Sequence, residues 1–289
     1  MRKSYAKFRE VIFWPLLFAL SPAVLRKKIA TYIQNNSSYY SNAVTSMLKN
    51  LSCFLPDADL EASAKNLRLI HLVDHSDTFT SFFRSQSALR HIVTINAPEF
   101  NQRTLVLSGH RGNAWWLLPV IHAKGNIANF VSAPLCKPIT FLEWLFWPYA
   151  LFRWHQINRI GGAPLIPMRG ASKAVKEILQ KDECAIALID IPPALTPLCS
   201  PVKFFGRTAY MPRRLIDIAI EEQADIFYCR GDFSPTDLRL YLAFERISTK
   251  SGPQAVFSRY AELLEADIRE RPGSWHAWGH ADLFFQPPA

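Results

Sequence analysis

The chain has 289 residues, 49% of them hydrophobic, and a formal net charge of +9. That is enough apolar material for one large domain or one domain with an appendage. The positive excess is local: residues 1–28 carry Arg2, Lys3, Lys7, Arg9, Arg26, Lys27 and Lys28 against Glu10 alone. A uniformly basic, nucleic-acid-binding surface is therefore not indicated, and no zinc-finger, RNA-recognition or Walker pattern occurs. Five cysteines, odd in number and without a C-x-x-C pair, argue against a disulfide framework or a zinc site and suit a reducing compartment.

In chain order, the first feature is an apolar run of fifteen residues, 11–25, interrupted by Pro15 and Pro22. A spanning helix needs roughly twenty apolar residues. With cations on both sides and no clean cleavage site, the run reads best as a helix lying in a membrane interface. A first helix docked on the core and a tilted single span are the alternatives. Residues 29–91 read as amphipathic helices with breaks at 35–38 and 56–57, and Asp57 or Asp59 is placed to cap the helix that follows.

From residue 104 the pattern changes to strands alternating with helices. The expected strands are 105–108, 127–132, 163–166, 185–190, 225–230 and 240–246. The expected helices are 114–123, 172–181, 212–222 and 253–271. Alternation of this kind predicts an α/β fold: a mostly parallel central sheet covered by helices on both faces, with a helical N-terminal segment. The expected organisation is a basic and apolar interface segment, 1–28, and one domain, 29–289, helical over 29–100 and sheet-containing over 101–289. Segment 141–154 holds seven aromatic residues. It reads either as a buried helix or as the wall of an acyl-chain groove or a bilayer-contacting surface.

The stretch 104–116, Thr-Leu-Val-Leu-Ser-Gly-His-Arg-Gly-Asn-Ala-Trp-Trp, reads as an interior strand, a glycine turn and a helix start. It places His110 at the carboxyl end of a strand, where open α/β sheets keep their ligand sites. Histidine there is readily poised as a general base.

The turn Gly109-His110-Arg111-Gly112-Asn113 resembles the histidine motif of the lysophospholipid acyltransferase superfamily, and within it the late acyltransferases of lipid A biosynthesis. Further blocks agree in order: Leu51 to Phe54 within 49–56, Asp190 at the end of 187–190, the Phe-Phe-Gly turn within 202–207, and Ser-Trp-His-Ala-Trp-Gly-His at 274–280. The resemblance implies an enzyme on the cytoplasmic face of the bacterial inner membrane. Such an enzyme takes an acyl group from a phosphopantetheine-linked thioester, on a carrier protein or coenzyme A, to a hydroxyl of an anionic lipid such as lipid A. It implies no permanently bound cofactor and no nucleic-acid partner. The superfamily includes a branch that transfers glycyl groups from an aminoacyl carrier protein.

On this reading His110 removes the acceptor hydroxyl's proton. Backbone N–H groups near Gly112 and Asn113 are candidate donors to the oxyanion. Arg111, Arg159, Arg207, Arg213 and Arg214 are candidate phosphate holders or surface charges; Arg159 is singled out because the family often has an arginine just before the position of Gly161-Gly162. The family pattern also demands Asp or Glu five residues after the histidine, and here that place is Trp115. Three readings follow. Another carboxylate substitutes, Asp190 first and Glu143 second. Alternatively, an activated aminoacyl donor needs less help, its ammonium meeting the face of Trp115. Or catalysis is lost and the protein binds lipid without turning it over. His122, His155, His276 and His280 are further histidines, the last two read as part of a packed C-terminal anchor, and no metal-ligand spacing stands out.

Overall fold

The structure is a computed structural model describing residues 2–89, 92–100, 102–112, 116–196 and 198–288. The helical N-terminal part comprises α1 (Arg2–Phe8), a π-helical turn (Arg9–Phe13), α2 (Trp14–Leu20), α3 (Ala23–Asn35), α4 (Ser41–Phe54) and α5 (Leu60–Leu89). Next come β1 (Ile92–Ile95), β2 (Thr104–Ser108), α6 (Leu117–Ala123), β3 (Ala128–Ser132), α7 (Phe141–Gly161), β4 (Ile166–Pro167), α8 (Ala171–Gln180) and β5 (Cys184–Leu188). The chain continues through β6 (Ser200–Phe204), β7 (Arg207–Met211), α9 (Arg214–Glu221), β8 (Asp225–Ser234), β9 (Arg239–Ile247) and α10 (Pro253–Glu270), and closes in 3₁₀ turns, Pro272–Ser274 and His276–Phe285.

Seven strands form one sheet in the order β1-β9-β8-β2-β5-β3-β4, and β6 and β7 make a separate hairpin. Every neighbouring pair in the large sheet is parallel except the β8–β9 hairpin. The expected mostly parallel α/β sheet is thus borne out. Its central strands are apolar on both sides for a visible reason. Leu105, Leu107, Ala185 and Ala187 join the core under α4, α8, α9 and α10, while Val106, Cys184 and Ile186 join a second core with α6. Alternate side chains of each strand go to opposite faces and both faces are covered.

Several expectations need correction. Strand 163–166 shrinks to two residues, Ile166–Pro167, because Pro164 and Pro167 lack the N–H groups a longer ladder requires. Strand 185–190 ends at Leu188, since Asp190 turns in toward the β2 end. Strands β1, β6 and β7 have no counterpart among the expected strands, while the Phe-Phe-Gly turn expected within 202–207 is the turn of the β6–β7 hairpin. The hairpin turns on Phe205 (φ 48°) and Gly206 (φ 72°), both left-handed, as a two-residue type I′ turn needs. Asp59, of the two candidate caps, accepts from the Ala62 N–H at 2.9 Å.

The N-terminal segment docks on the helical part. Phe18 and Ala19 are buried, the Trp14 indole donates to the Tyr39 hydroxyl (2.9 Å), and the Glu10 carboxylate accepts from the Tyr40 N–H (2.7 Å). Its outer face keeps Tyr5, Phe8, Phe13 and Leu20 exposed. Lys7 lies over the Phe146 ring of α7, which joins this face to that helix. Among the described residues no helix is long and apolar enough to cross a membrane. In α7 Phe146 is buried, but Phe141, Trp144, Leu145 and Leu151 face solvent, so the aromatic segment is not simply a core helix.

Candidate active site

Register explains the site. Strands β2 and β5 are parallel neighbours, with Ser108 opposite Leu188. Two residues beyond that pair each chain leaves the sheet at the same edge, one with His110 and the other with Asp190. From β2 the chain crosses by α6 to β3, and from β5 it crosses in the opposite sense to β8, so the two strand ends flank a topological switch point.

Asp190 Oδ1 lies 2.8 Å from His110 Nδ1, and the His110 backbone N–H is shared by both carboxylate oxygens at 3.0 and 2.8 Å. The Trp275 indole N–H donates to Oδ2 at 2.8 Å. The Asp190 side chain has no solvent exposure, whereas the imidazole is 44% exposed. A carboxylate only accepts, so Nδ1 carries the proton and Nε2 keeps its lone pair. Burial opposes charge on His110, but the charge and hydrogen bonds of Asp190 outweigh it and raise the imidazole's pKa above its ordinary 6.5. The neighbouring histidines go the other way. Burial lowers His71 to about 3, His75 to about 4, and His276 below its usual range.

The pair opens on a cavity of about 530 Å³. Its polar lining residues include His110, Asp190, Asp74, Arg153, His276 and His280. Its apolar lining includes Phe130 and Val131 of β3, Ile157 of α7, Met168, Leu188, Ile191 and Leu195. In this lining Arg153 forks onto both oxygens of Asp74, at 2.9 and 3.0 Å. This ion pair, joining α7 to α5, had no distinguishing signal in the sequence.

The remaining site candidates fall elsewhere. The Glu143 carboxylate accepts from the backbone N–H groups of Ile139 and Thr140 as half of the capping box at the start of α7. It is a helix cap, and the carboxylate beside His110 is Asp190. The Gly112 N–H donates to the Ser274 carbonyl at 2.9 Å, so this N–H is already engaged and does not serve as the expected oxyanion donor. Gly112 is needed for another reason: its φ is +54°, and a Cβ there would clash with the Gly231 carbonyl. Asn113 and Trp115 lie outside the described residues.

Of the five arginines read as phosphate holders, Arg111 alone is among the residues lining this cavity. Arg159 binds Gln156 and the Ser81 carbonyl, tying α7 to α5. Arg207 lies over the rings of Phe54 and Phe285. Arg111 is buried against Asp232 and Asp267, Arg213 pairs with Asp217 and Gln254, and Arg214 with Glu221. Among the described residues no group of three or more His, Cys, Asp or Glu is placed to hold a metal ion.

Neither a comparison with protein-family models nor one with curated proteins finds a match to this chain.

Proposed function

We propose that the protein is a membrane-associated transferase that moves an acyl or aminoacyl group from a phosphopantetheine-linked thioester to a hydroxyl of an anionic lipid, lipid A or a relative. On this proposal it works at the cytoplasmic face of a bacterial inner membrane, with an acyl or aminoacyl carrier protein as donor partner. The single observation that carries the reading is the His110–Asp190 pair lining a cavity that also has polar and apolar side chains in its lining. The likeness of the turn and four other blocks to lipid A late acyltransferases supports it.

The chemistry follows from the geometry. Nε2 of neutral His110 takes the acceptor hydroxyl's proton as the oxygen attacks the thioester carbonyl carbon. Asp190 stabilises the imidazolium that forms, the role of the acid in hydrolytic triads. The tetrahedral oxyanion collapses, the carbon–sulfur bond breaks, and the imidazolium returns its proton to the departing thiolate. The mixed lining suits an amphiphile, its apolar side chains the hydrocarbon part and its polar ones the head. Exposed Ile139, Phe141 and Trp144, together with Phe8 and Phe13 of the basic N-terminal segment, offer apolar and aromatic groups to a lipid surface.

The test is transfer of labelled acyl or glycyl groups from carrier-protein thioesters to lipid A-containing vesicles. Wild type should label the lipid and His110→Ala should lose at least a hundredfold in rate, the lower range for a general base. Equal product from both would refute catalysis by His110. Vesicle binding without product in either case would leave a lipid-binding protein of the same fold.

A further inference from the structure

The C-terminal segment 274–276 lies against the histidine turn as a second backbone. Gly112 N–H donates to the Ser274 carbonyl (2.9 Å), His276 N–H donates to the His110 carbonyl (2.7 Å), and Arg111 and Trp275 form an antiparallel bridge. His276 Nε2, 3.2 Å from the Gly112 carbonyl, adds a side-chain bond to the same turn. From this strap the Trp275 indole reaches Asp190, which comes from β5. One short segment thus touches both members of the pair, though they arrive on different strands.

We propose that Trp275 is a positioning residue for the His110–Asp190 pair: its indole N–H holds Asp190 Oδ2, so that Oδ1 stays on the imidazole. The inference rests on the transferase reading above and deepens it. Asp190 sits just past a strand end, where a carboxyl can rotate. His110 N–H is shared between its two oxygens, and Nδ1–H binds only Oδ1. The indole therefore supplies Oδ2 with the one donor it does not share. A buried carboxylate oxygen short of a donor is costly, so the arrangement has a preferred orientation.

The indole itself has little freedom. Trp275 has no exposed surface, packs edge-on against Trp278 with centroids 4.9 Å apart, and meets Phe204 of β6 and Phe284. Behind the turn, Arg111 reaches Asp232 of β8 and the Asp267 carbonyl of α10. The turn is therefore held from both sides. Among the described residues, the chargeable groups around the pair include His276 on the strap, His280 in the same cavity lining, Arg111 on the turn with Asp232 and Asp267 against it, Tyr228 on β8, and Tyr260 on α10. Beyond His276 stand Asp74 of α5 and Arg153 of α7.

The experiment follows the histidine ring and tryptophan indole resonances of the full chain through a pH titration, beside transfer kinetics. In wild type the Trp275 indole N–H should shift with the same midpoint as the His110 ring. In Trp275→Phe Oδ2 loses that donor and Oδ1 is no longer held on the imidazole, so the His110 midpoint should fall toward the ordinary imidazole value. Transfer should show kcat lower by ten- to a hundredfold, the weight of a hydrogen bond to a charged group, with KM within about twofold. A folded Trp275→Phe protein with wild-type midpoint and kcat overturns the proposal. If that variant does not fold, a wild-type indole resonance flat across the His110 titration overturns it equally. The resonances need no turnover: coupled titration in a protein that transfers nothing would remove the transferase reading while the Trp275–Asp190–His110 coupling stood.

Discussion

A carboxylate accepting from His110 Nδ1 decides which ring nitrogen is protonated, and it holds positive charge on the ring once a proton is gained. Asp190→Asn removes the charge while keeping the size. In a Ser-His-Asp triad the equivalent change costs about 10⁴ in kcat, and here transfer should fall by about 10² to 10⁴. The pH dependence has a definite sign. A general base works when unprotonated, so wild-type transfer should rise with pH through a midpoint above 6.5, because Asp190 raises the His110 pKa. Without that charge the rising limb should move to lower pH even as the plateau drops. A rate–pH profile of both proteins checks this, and an unmoved limb would mean that Asp190 does not act through His110. The two residues were legible in the sequence because each follows an apolar strand directly. Their contact is a register fact, Ser108 opposite Leu188, which no local pattern encodes. What the turn does with its own N–H groups was not legible, since Ser274, the acceptor for Gly112, is more than 160 positions away.

At the scale of elements, α7 shows how a carboxylate with the right charge is excluded from a site by its local role. Thr140 caps the helix and Glu143 reaches back to the Ile139 and Thr140 N–H groups, a pattern written in the sequence as Thr-x-x-Glu before an apolar run. The prediction is a separation of effects. Glu143→Gln should leave transfer at the wild-type rate. Thr140→Ala, which removes the side-chain acceptor for the Glu143 N–H, should lower unfolding free energy by about 1 kcal/mol. Urea denaturation and the transfer assay together check both; a large loss of transfer in Glu143→Gln with intact stability would return that carboxylate to the reaction. Other elements were harder to read. The type I′ turn of the β6–β7 hairpin carries Phe205 where Asn or Asp is usual, and the short strand β1 is defined by pairing with β9, at the far end of the sequence. Strand–helix alternation gave the parallel part of the sheet, whereas β8 and β9 are joined by a short connection that allows only antiparallel pairing.

Across the whole molecule, the polar groups behind the pair join α5 to α7 and to the C-terminal strap, with His71 and His75 beside the Asp74–Arg153 ion pair. His71 stacks on Tyr40 and meets His276 edge-on, and His75 Nδ1 lies 3.0 Å from the Tyr149 hydroxyl, so α5, α7 and the C-terminal strap share one half-buried cluster. Burial lowers His71 to about 3 and His75 to about 4, while in the unfolded chain both titrate near 6.5. Between pH 6.5 and about 4 the unfolded state therefore binds more protons than the folded one, and stability must fall as pH falls. Asp74, held below the usual carboxylate range by Arg153 and the nearby histidines despite its burial, adds to the loss below about pH 4. His110 has the opposite sign: its raised pKa gives stability that is full below 6.5 and lost as pH rises through the folded value. The expected result is a urea midpoint that declines steadily from pH 6.5 to pH 4. His71→Phe keeps a ring against Tyr40 but cannot titrate, so its decline should be shallower than that of wild type over the same range. Parallel slopes for the two proteins would show that His71 is charged in the folded state as readily as in the unfolded one, and the acid sensitivity would then have to come from groups outside this cluster.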